Sequence, residues 1–333
     1  MNAPIIHGGG ITAAAALYGG KPEDWLDLST GISPFPAVLP EIPIRAWHRL
    51  PDQHLVHEAR EAARDYYGSG NTLPLPVPGT QSVIQLLPRL IAAGGRVAVL
   101  GPTYGEYERA FVMAGAAVDR LDGIDEIGDH HALVVIVNPN NPDGRIYQPE
   151  LLLNLARRLA ARGGILVVDE AFGDTVPEAS VAARVADHAN LIVFRSFGKF
   201  FGLAGLRLGF VIAARELLDR FESLLGPWAV SGPGLSIAAS LLRTDIEPLR
   251  RAIAERSEAM REVLAKGGLR IRGGTALFSL VEDEAADALH AHLCVHHILV
   301  RKFDYAPSWL RFGVTPDTTG DLRLADALMS FNR

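Results

Sequence analysis

A set of short apolar runs through the middle of the chain constrains its fold more than any other feature. They are RVAVLG (Arg96–Gly101), ALVVIVNP (Ala132–Pro139), GILVVDEAF (Gly164–Phe172), LIVFRSFGK (Leu191–Lys199) and LRLGFVIA (Leu206–Ala213). They are rich in β-branched residues and nearly continuous in hydrophobicity, so they read as strands of a sheet covered on both faces. Helical patterns interleave with them: SVIQLLPRLIAAG, GEYERAFVMAG and PELLLNLARRLAARGG, each stopped by glycine. The alternation predicts an α/β domain with a mostly parallel central sheet. The last run follows a tight Gly-Leu-Ala-Gly turn instead of a helix, which fits an antiparallel strand.

After Pro227 the pattern changes. A long helical stretch, EPLRRAIAERSEAMREVLAKGG, leads into LRIRGGTALFSLV, a further helix, HILVRKF and WLRFGV. This predicts a smaller α+β domain. The expected organisation is an N-terminal segment over 1–45, a large domain over 46–244 and a small C-terminal domain over 245–333. The segment 1–45 is rich in Gly and Pro and lacks strong periodicity, as a surface wrap or an arm toward a partner subunit would.

The bulk numbers narrow the function classes. Hydrophobic residues make up 48% of the 333, enough for a large core, and the formal net charge is -6 with no Lys/Arg run. A nucleic-acid binder is expected to carry a basic face, so that class is set aside. The one cysteine, Cys294, allows no intrachain disulfide and fits a reducing compartment. The start has no basic n-region, so it does not read as a signal peptide. Runs such as ALVVIV are far too short to span a bilayer. A cytoplasmic location is expected.

In open α/β sheets, ligands bind beyond the carboxyl ends of the strands. The polar residues there are GPTY after the first run, NPNNPDG after the second, DEAF in the third and SFGK in the fourth, with VPGTQSVIQLL upstream. Each alone has a plain structural explanation: turn formation by Asn-Pro and Asp-Gly, capping by Asp169, a solvated Lys199. Their succession at consecutive strand ends is harder to dismiss. Competing motifs fail. Gly198-Lys199 is followed by Phe200, which breaks a P-loop, and no GxGxxG opens a helix after a strand. His54 with His57, and His292 with His296, lack supporting Cys or carboxylate ligands in pattern, so no metal is expected.

Pyridoxal phosphate is the group whose chemistry wants this combination. Its aldehyde needs an amine, its pyridine nitrogen a carboxylate, its phosphate backbone N–H groups at a helix start, and its ring an aromatic face. At these residues the chain resembles the fold-type-I pyridoxal-phosphate enzymes, the aspartate aminotransferase superfamily, over nearly its whole length. Lys199, in a Ser-x-x-Lys pattern followed by GLAGLRLG, sits where that family's Schiff-base lysine sits. The resemblance implies that Asp169 pairs with the pyridine nitrogen, Asn141 donates to the phenolic oxygen and Tyr104 stacks on the ring. It implies a phosphate cradle of Gly79, Thr80, Gln81, Ser196 and Arg207. It also implies that Arg311 of WLRFGV receives a substrate carboxylate, a role suited to the planar guanidinium fork. Lys199, Asp169 and Tyr104 are the expected catalytic residues.

There are two departures. The family commonly has tyrosine after DEA, where Phe172 cannot donate. Many relatives carry a Tyr-Pro pair near the start, where RLPD puts Leu50. Within the superfamily, HGGG at His7, WLDLSTGISPFP, NPNNPDGR, LLGPWAVSGP and GGTALFSLV resemble the branch that decarboxylates threonine phosphate in cobalamin biosynthesis. The histidinol-phosphate aminotransferases share PNNP, GLAGLR and both C-terminal arginines, and remain the alternative. The residues allow either: Arg301 and Arg311 supply two cationic forks, and His7 a third donor, for a substrate with an amine and a phosphate. A non-catalytic sensor that only binds the cofactor is a further alternative, though the chain has no room for the DNA-binding module such proteins add. The resemblance implies a homodimer.

Overall fold

In a computed structural model, residue 5 and residues 7–332 are described. They group into two units. One holds the described residues through Pro36, then Pro142–Gly144, and those from Ile246 onward; the other holds Ala37–Asn141 and Arg145–Asp245.

The strands, in chain order, are β1 (Leu26–Leu28), β2 (Leu75–Val77), β3 (Arg96–Leu100), β4 (Ala117–Leu121), β5 (His131–Val137), β6 (Ile165–Asp169), β7 (Leu191–Ser196), β8 (Gly209–Ala213), β9 (Arg270–Thr275), β10 (Phe278–Glu282), β11 (Ile298–Lys302) and β12 (Trp309–Gly313).

The second unit is built on a seven-stranded sheet in the order β2-β8-β7-β6-β5-β3-β4. β4, β3, β5, β6 and β7 run parallel, and β8 lies antiparallel to β7, as the turn before it suggested. One face carries Val97, Val99, Leu133, Val135, Val167, Ile192 and Phe194. It packs against Tyr107 and Phe111 of the helix Glu106–Met113 and Phe221 of the helix Arg215–Leu225. The alternate residues Ala98, Val134, Ile136, Leu166, Val168 and Val193 are buried too. Burial on both faces explains the near-continuous apolar runs.

Three details depart from the sequence reading. The fourth strand ends at Ser196 instead of running through Lys199, and Phe197–Phe200 forms a single helical turn. The helix expected over SVIQLLPRLIAAG is Thr80–Ile84 followed by a 3-10 turn, Leu87–Leu90. Pro88, which lacks an N–H and crowds the preceding turn, prevents one continuous helix. The edge strands β2 and β4 were not read at all: β2 is three residues long, and AVDRL of β4 carries adjacent Asp and Arg and is only partly buried.

The first unit has a five-stranded sheet, β1-β11-β12-β10-β9. β9, β10, β12 and β11 are mutually antiparallel neighbours; β1 adds parallel to β11, with Leu26 opposite Ile298 and Leu28 opposite Val300. Leu28 is fully buried in a core with Val300, Leu310, Phe312 and the helices Glu247–Lys266 and Thr318–Met329. The Gly- and Pro-rich start of the chain therefore contributes a strand to this sheet. Within the same unit, Asp143 and Gly144 press on β9 so closely that a Cβ on Gly273 or Gly144 would overlap a carbonyl oxygen. Among the described residues no helix is long and apolar enough to cross a membrane.

Candidate active site

The site in the seven-stranded unit grows from the carboxyl ends of its parallel strands. Strand order reverses between β3 and β5, and such a reversal opens a crevice for ligands. The two loops that leave there are tied together. Thr103 Oγ1 donates to Asn140 Oδ1 at 2.6 Å, Asn140 Nδ2 donates to the Pro102 carbonyl at 2.9 Å, and Arg145 Nη2 donates to the Gly101 carbonyl at 3.0 Å. Tyr104 and Asn141 are the next residues on each side of this brace. Neither Thr103 nor Asn140 was singled out from the sequence.

Asp169 is the last residue of β6 and is buried. Its Oδ2 accepts the hydroxyl of Tyr107 at 2.7 Å and its Oδ1 accepts the Ala171 N–H at 3.0 Å. Burial pushes its carboxyl up to about 6, against the opposing pull of Tyr107, Ala171 and the nearby Lys199 charge. Tyr107 is fully buried, and desolvation beside Asp169 holds its hydroxyl well above the ordinary tyrosine range. Sequence reasoning missed Tyr107; the signal was a second tyrosine three residues after Tyr104.

The half-buried Tyr104 donates its hydroxyl to Gln81 Oε1 at 3.0 Å, and Gln81 Nε2 donates to Glu106 Oε2 at 3.1 Å. The Gln81 side chain thus braces Tyr104, a use not foreseen for a residue expected at a phosphate. The rings of Tyr104 and Tyr107 meet edge to face, centroids 6.3 Å apart.

Lys199 is half-buried in the turn Phe197–Phe200, with Nζ 6.0 Å from the centroid of the buried Phe172 ring. A Cβ on Gly198 would sit 2.8 Å from Ala204 Cα, so the segment after the lysine folds back on it.

Thr80, Ser196 and Arg207 share one corner. Ser196 ends β7 opposite Gly209 of β8, and a Cβ on Gly209 would lie 3.1 Å from Thr80 Cγ2. A Cβ on Gly79 would lie 2.9 Å from Arg207 Nη2, and Gly79 has φ 75, ψ 151, a region essentially reserved for glycine. Behind this corner, buried Arg195 donates to Glu170 Oε2 at 2.7 Å and to Asp174 Oδ1 at 2.6 Å. That pairing locks β6 to β7 beside Asp169 and Ser196.

In the five-stranded unit, Arg301 of β11 lies directly opposite Arg311 of β12. Arg311 is buried and its Nη2 donates to the Ser29 carbonyl at 2.8 Å. Ser29 Oγ in turn accepts the Gly9 N–H at 2.7 Å, which brings the exposed His7 segment to the same residue. Leu50, in place of the family's tyrosine, is exposed.

A cofactor with an aldehyde, a ring nitrogen and a phosphate fits the donor set of the seven-stranded unit in kind. Lys199 offers an amine and Asp169 a buried carboxylate. Thr80, Ser196 and Arg207 offer hydroxyl and guanidinium donors around a turn that only glycine fits. The histidine pairs have other uses. His54 and His57 pair with Glu58 and Glu61 on an exposed helix face, and His292 Nε2 bonds the Ala327 carbonyl at 2.8 Å. Asp119, His130 and His131 also cluster. There the Gly128 N–H donates to His131 Nδ1, which leaves the proton on Nε2 facing Asp119, while Arg96 holds the other Asp119 oxygen. The carboxylate is already neutralised by protein cations and donors.

Residues 23–328 match the family model described as aminotransferase class I and II. The chain is 60% identical over 328 residues to a threonine-phosphate decarboxylase of Sinorhizobium sp., covering 98% of each chain. It is 44% identical over 333 residues to a threonine-phosphate decarboxylase of Pseudomonas aeruginosa, again covering 98% of each. Its fold is similar to that of a histidinol-phosphate aminotransferase of Sinorhizobium meliloti solved with pyridoxal-5'-phosphate, with TM-score 0.84 and 21% identity over 98% of this chain and 96% of that one.

Proposed function

Because the chain belongs to the aminotransferase class I and II family, we propose that it is a pyridoxal-phosphate-dependent carboxy-lyase. It decarboxylates L-threonine O-3-phosphate to (R)-1-amino-2-propanol O-2-phosphate, a step of cobalamin biosynthesis. The observation that carries this reading is the 60% identity, over 98% of both chains, to a relative named threonine-phosphate decarboxylase.

When bound, the cofactor supplies an electron sink for the pair left on Cα as the Cα–carboxylate bond breaks. The chain's own residues do the rest. Lys199 would contribute the amine for the aldehyde carbon. Asp169 would offer its carboxylate to the ring nitrogen, Asn141 would donate to the phenolic oxygen, and Tyr104 would cover the ring. Thr80, Ser196 and Arg207, with the Gly79 and Gln81 backbone, hold the phosphate. Phe172 walls the pocket beside Lys199 without donating.

Arg301, Arg311 and His7 hold the substrate's phosphate and carboxylate. These anchors set rotation about the substrate N–Cα bond. By fixing that rotation, the anchors would decide which bond to Cα is the one exposed to cleavage. Loss of CO₂ balanced by return of a proton to Cα would leave the nitrogen in the product.

The same reading makes the enzyme a cytoplasmic homodimer. Exposed Ile44, Trp47 and Trp228 support an apolar contact face: the helix Ile44–His48 packs on the start of the helix Gly232–Leu241, four residues beyond Trp228.

The test is product analysis by mass spectrometry. The purified protein is incubated with threonine phosphate and, separately, with histidinol phosphate plus 2-oxoglutarate. Release of CO₂ with nitrogen retained in the product is expected from the first. Glutamate from the second, with no CO₂ from the first, would replace this reading with an aminotransferase. Cofactor binding without turnover of either would indicate a sensor.

A further inference from the structure

Asp169 is held by two donors at the end of β6, and they differ in kind. The Ala171 N–H, 3.0 Å from Oδ1, belongs to the chain two residues on and comes with the turn itself. The Tyr107 hydroxyl, 2.7 Å from Oδ2, comes from a separate helix, 62 residues away in sequence. Tyr107 is fully enclosed, with its ring in the apolar cluster that includes Val135, Val167 and Phe194. A hydroxyl sealed there is positioned to donate to this carboxylate and is shielded from water.

Such a bond does more than orient. A carboxylate that accepts a strong hydrogen bond is a weaker base, because the donor already stabilises its charge. In contact with a ring nitrogen, the weaker base leaves the shared proton on nitrogen. The other charges around Asp169 are Lys199, which favours its ionised form, and Glu170, which opposes it. Glu170 is itself paired with Arg195 at 2.7 Å, which blunts that opposition. Tyr107 is therefore the contact best placed to set the basicity of Asp169.

We propose that Tyr107 is a positioning residue that acts through Asp169, holding this carboxylate less basic than burial alone would make it, so that the proton it shares with the cofactor's ring nitrogen stays on nitrogen. The proposal rests on the cofactor reading given above. It reaches beyond it by assigning control of the ring proton to a residue that touches neither cofactor nor substrate.

The experiment uses holoenzyme reconstituted with pyridoxal phosphate labelled with ¹⁵N in the ring, read by NMR. In the wild type the ring resonance lies at the protonated position. In Tyr107→Phe it moves toward the unprotonated position while the cofactor stays bound. Turnover of threonine phosphate falls roughly tenfold to a hundredfold, the range expected for losing a hydrogen bond to a charged group. In the Asp169→Asn background, Tyr107→Phe has no further effect, since a residue that acts only through Asp169 has nothing left to act on.

If Tyr107→Phe does not fold, fluorotyrosine placed at position 107 alone gives a more acidic donor of nearly the same shape. It raises the pH at which the ring resonance leaves the protonated position. An unmoved ¹⁵N resonance in a folded, cofactor-loaded Tyr107→Phe overturns the proposal, as does an unmoved or lowered transition pH with fluorotyrosine. Failure of the wild-type protein to take up the cofactor overturns the parent reading instead, so the two failures are distinguishable.

Discussion

Arg301 and Arg311 face each other across β11 and β12 in direct register. The buried Arg311 guanidinium is pushed down to about 10, by desolvation first and by Arg301 second. Like charges directly opposed on one sheet face destabilise it. An anion between them relieves that repulsion and gains two charge-assisted forks.

Inorganic phosphate is accordingly expected to raise the melting temperature of the wild type, and to raise that of Arg301→Ala much less. Arg311→Ala should reduce turnover of threonine phosphate about a hundredfold, the scale of a lost charge-assisted bond. Arg311→Lys should recover little of it, because an ammonium cannot reproduce the planar fork. Equal stabilisation of the wild type and Arg301→Ala by phosphate would remove the pair from substrate binding.

Asp169 carries a pH signature. Its folded value, about 6, lies above its ordinary 3.8, so between those values the native protein holds more protons than the unfolded chain. The stabilisation this group contributes is present below pH 4 and is lost as pH rises through 6. The shift corresponds to roughly 3 kcal/mol. Cofactor-free Asp169→Asn should therefore gain stability over the wild type above pH 6 and match it near pH 4, in urea unfolding at both. The same variant should still bind cofactor yet turn over orders of magnitude more slowly. Wild-type turnover in Asp169→Asn would make Asp169 purely structural.

Lys199→Ala should fold normally, since the half-buried side chain leaves a turn already packed by Gly198 against Ala204. It should lose both the visible absorbance of lysine-bound cofactor and turnover. Circular dichroism checks the fold, and an unaltered absorption spectrum would exclude Lys199 as the amine.

Gly79→Ala tests the cradle with the smallest possible change. The backbone there, at φ 75, ψ 151, suits only glycine, and the added carbon would lie 2.9 Å from Arg207 Nη2. Strain of about 1–3 kcal/mol is expected, together with displacement of Arg207. Equilibrium dialysis should show cofactor affinity reduced by at least about tenfold, given that strain. Unchanged affinity would mean that the phosphate sits elsewhere.

Much of this protein was legible in the linear chain. The runs that became β3, β5, β6, β7 and β8 announced themselves because a strand buried on both faces must be apolar at nearly every position. Asp169 and Lys199 stood out because a polar side chain at the end of such a run is a visible interruption. The antiparallel course of β8 could be read because a tight Gly-Leu-Ala-Gly turn, and no crossover helix, precedes it.

Contacts made by residues distant in sequence were decided only by the tertiary structure. β1 is three residues long and gains meaning only by pairing with β11. The opposition of Arg301 and Arg311 depends on a register that neither strand encodes alone. Tyr107 looked like one more apolar residue on a helix, because its ring is buried like its neighbours, and only the fold reveals that its hydroxyl ends on Asp169. Periodicity and burial leave their mark on local sequence. A hydrogen bond or charge contact between separate elements depends on how those elements are brought together, and no single segment records that.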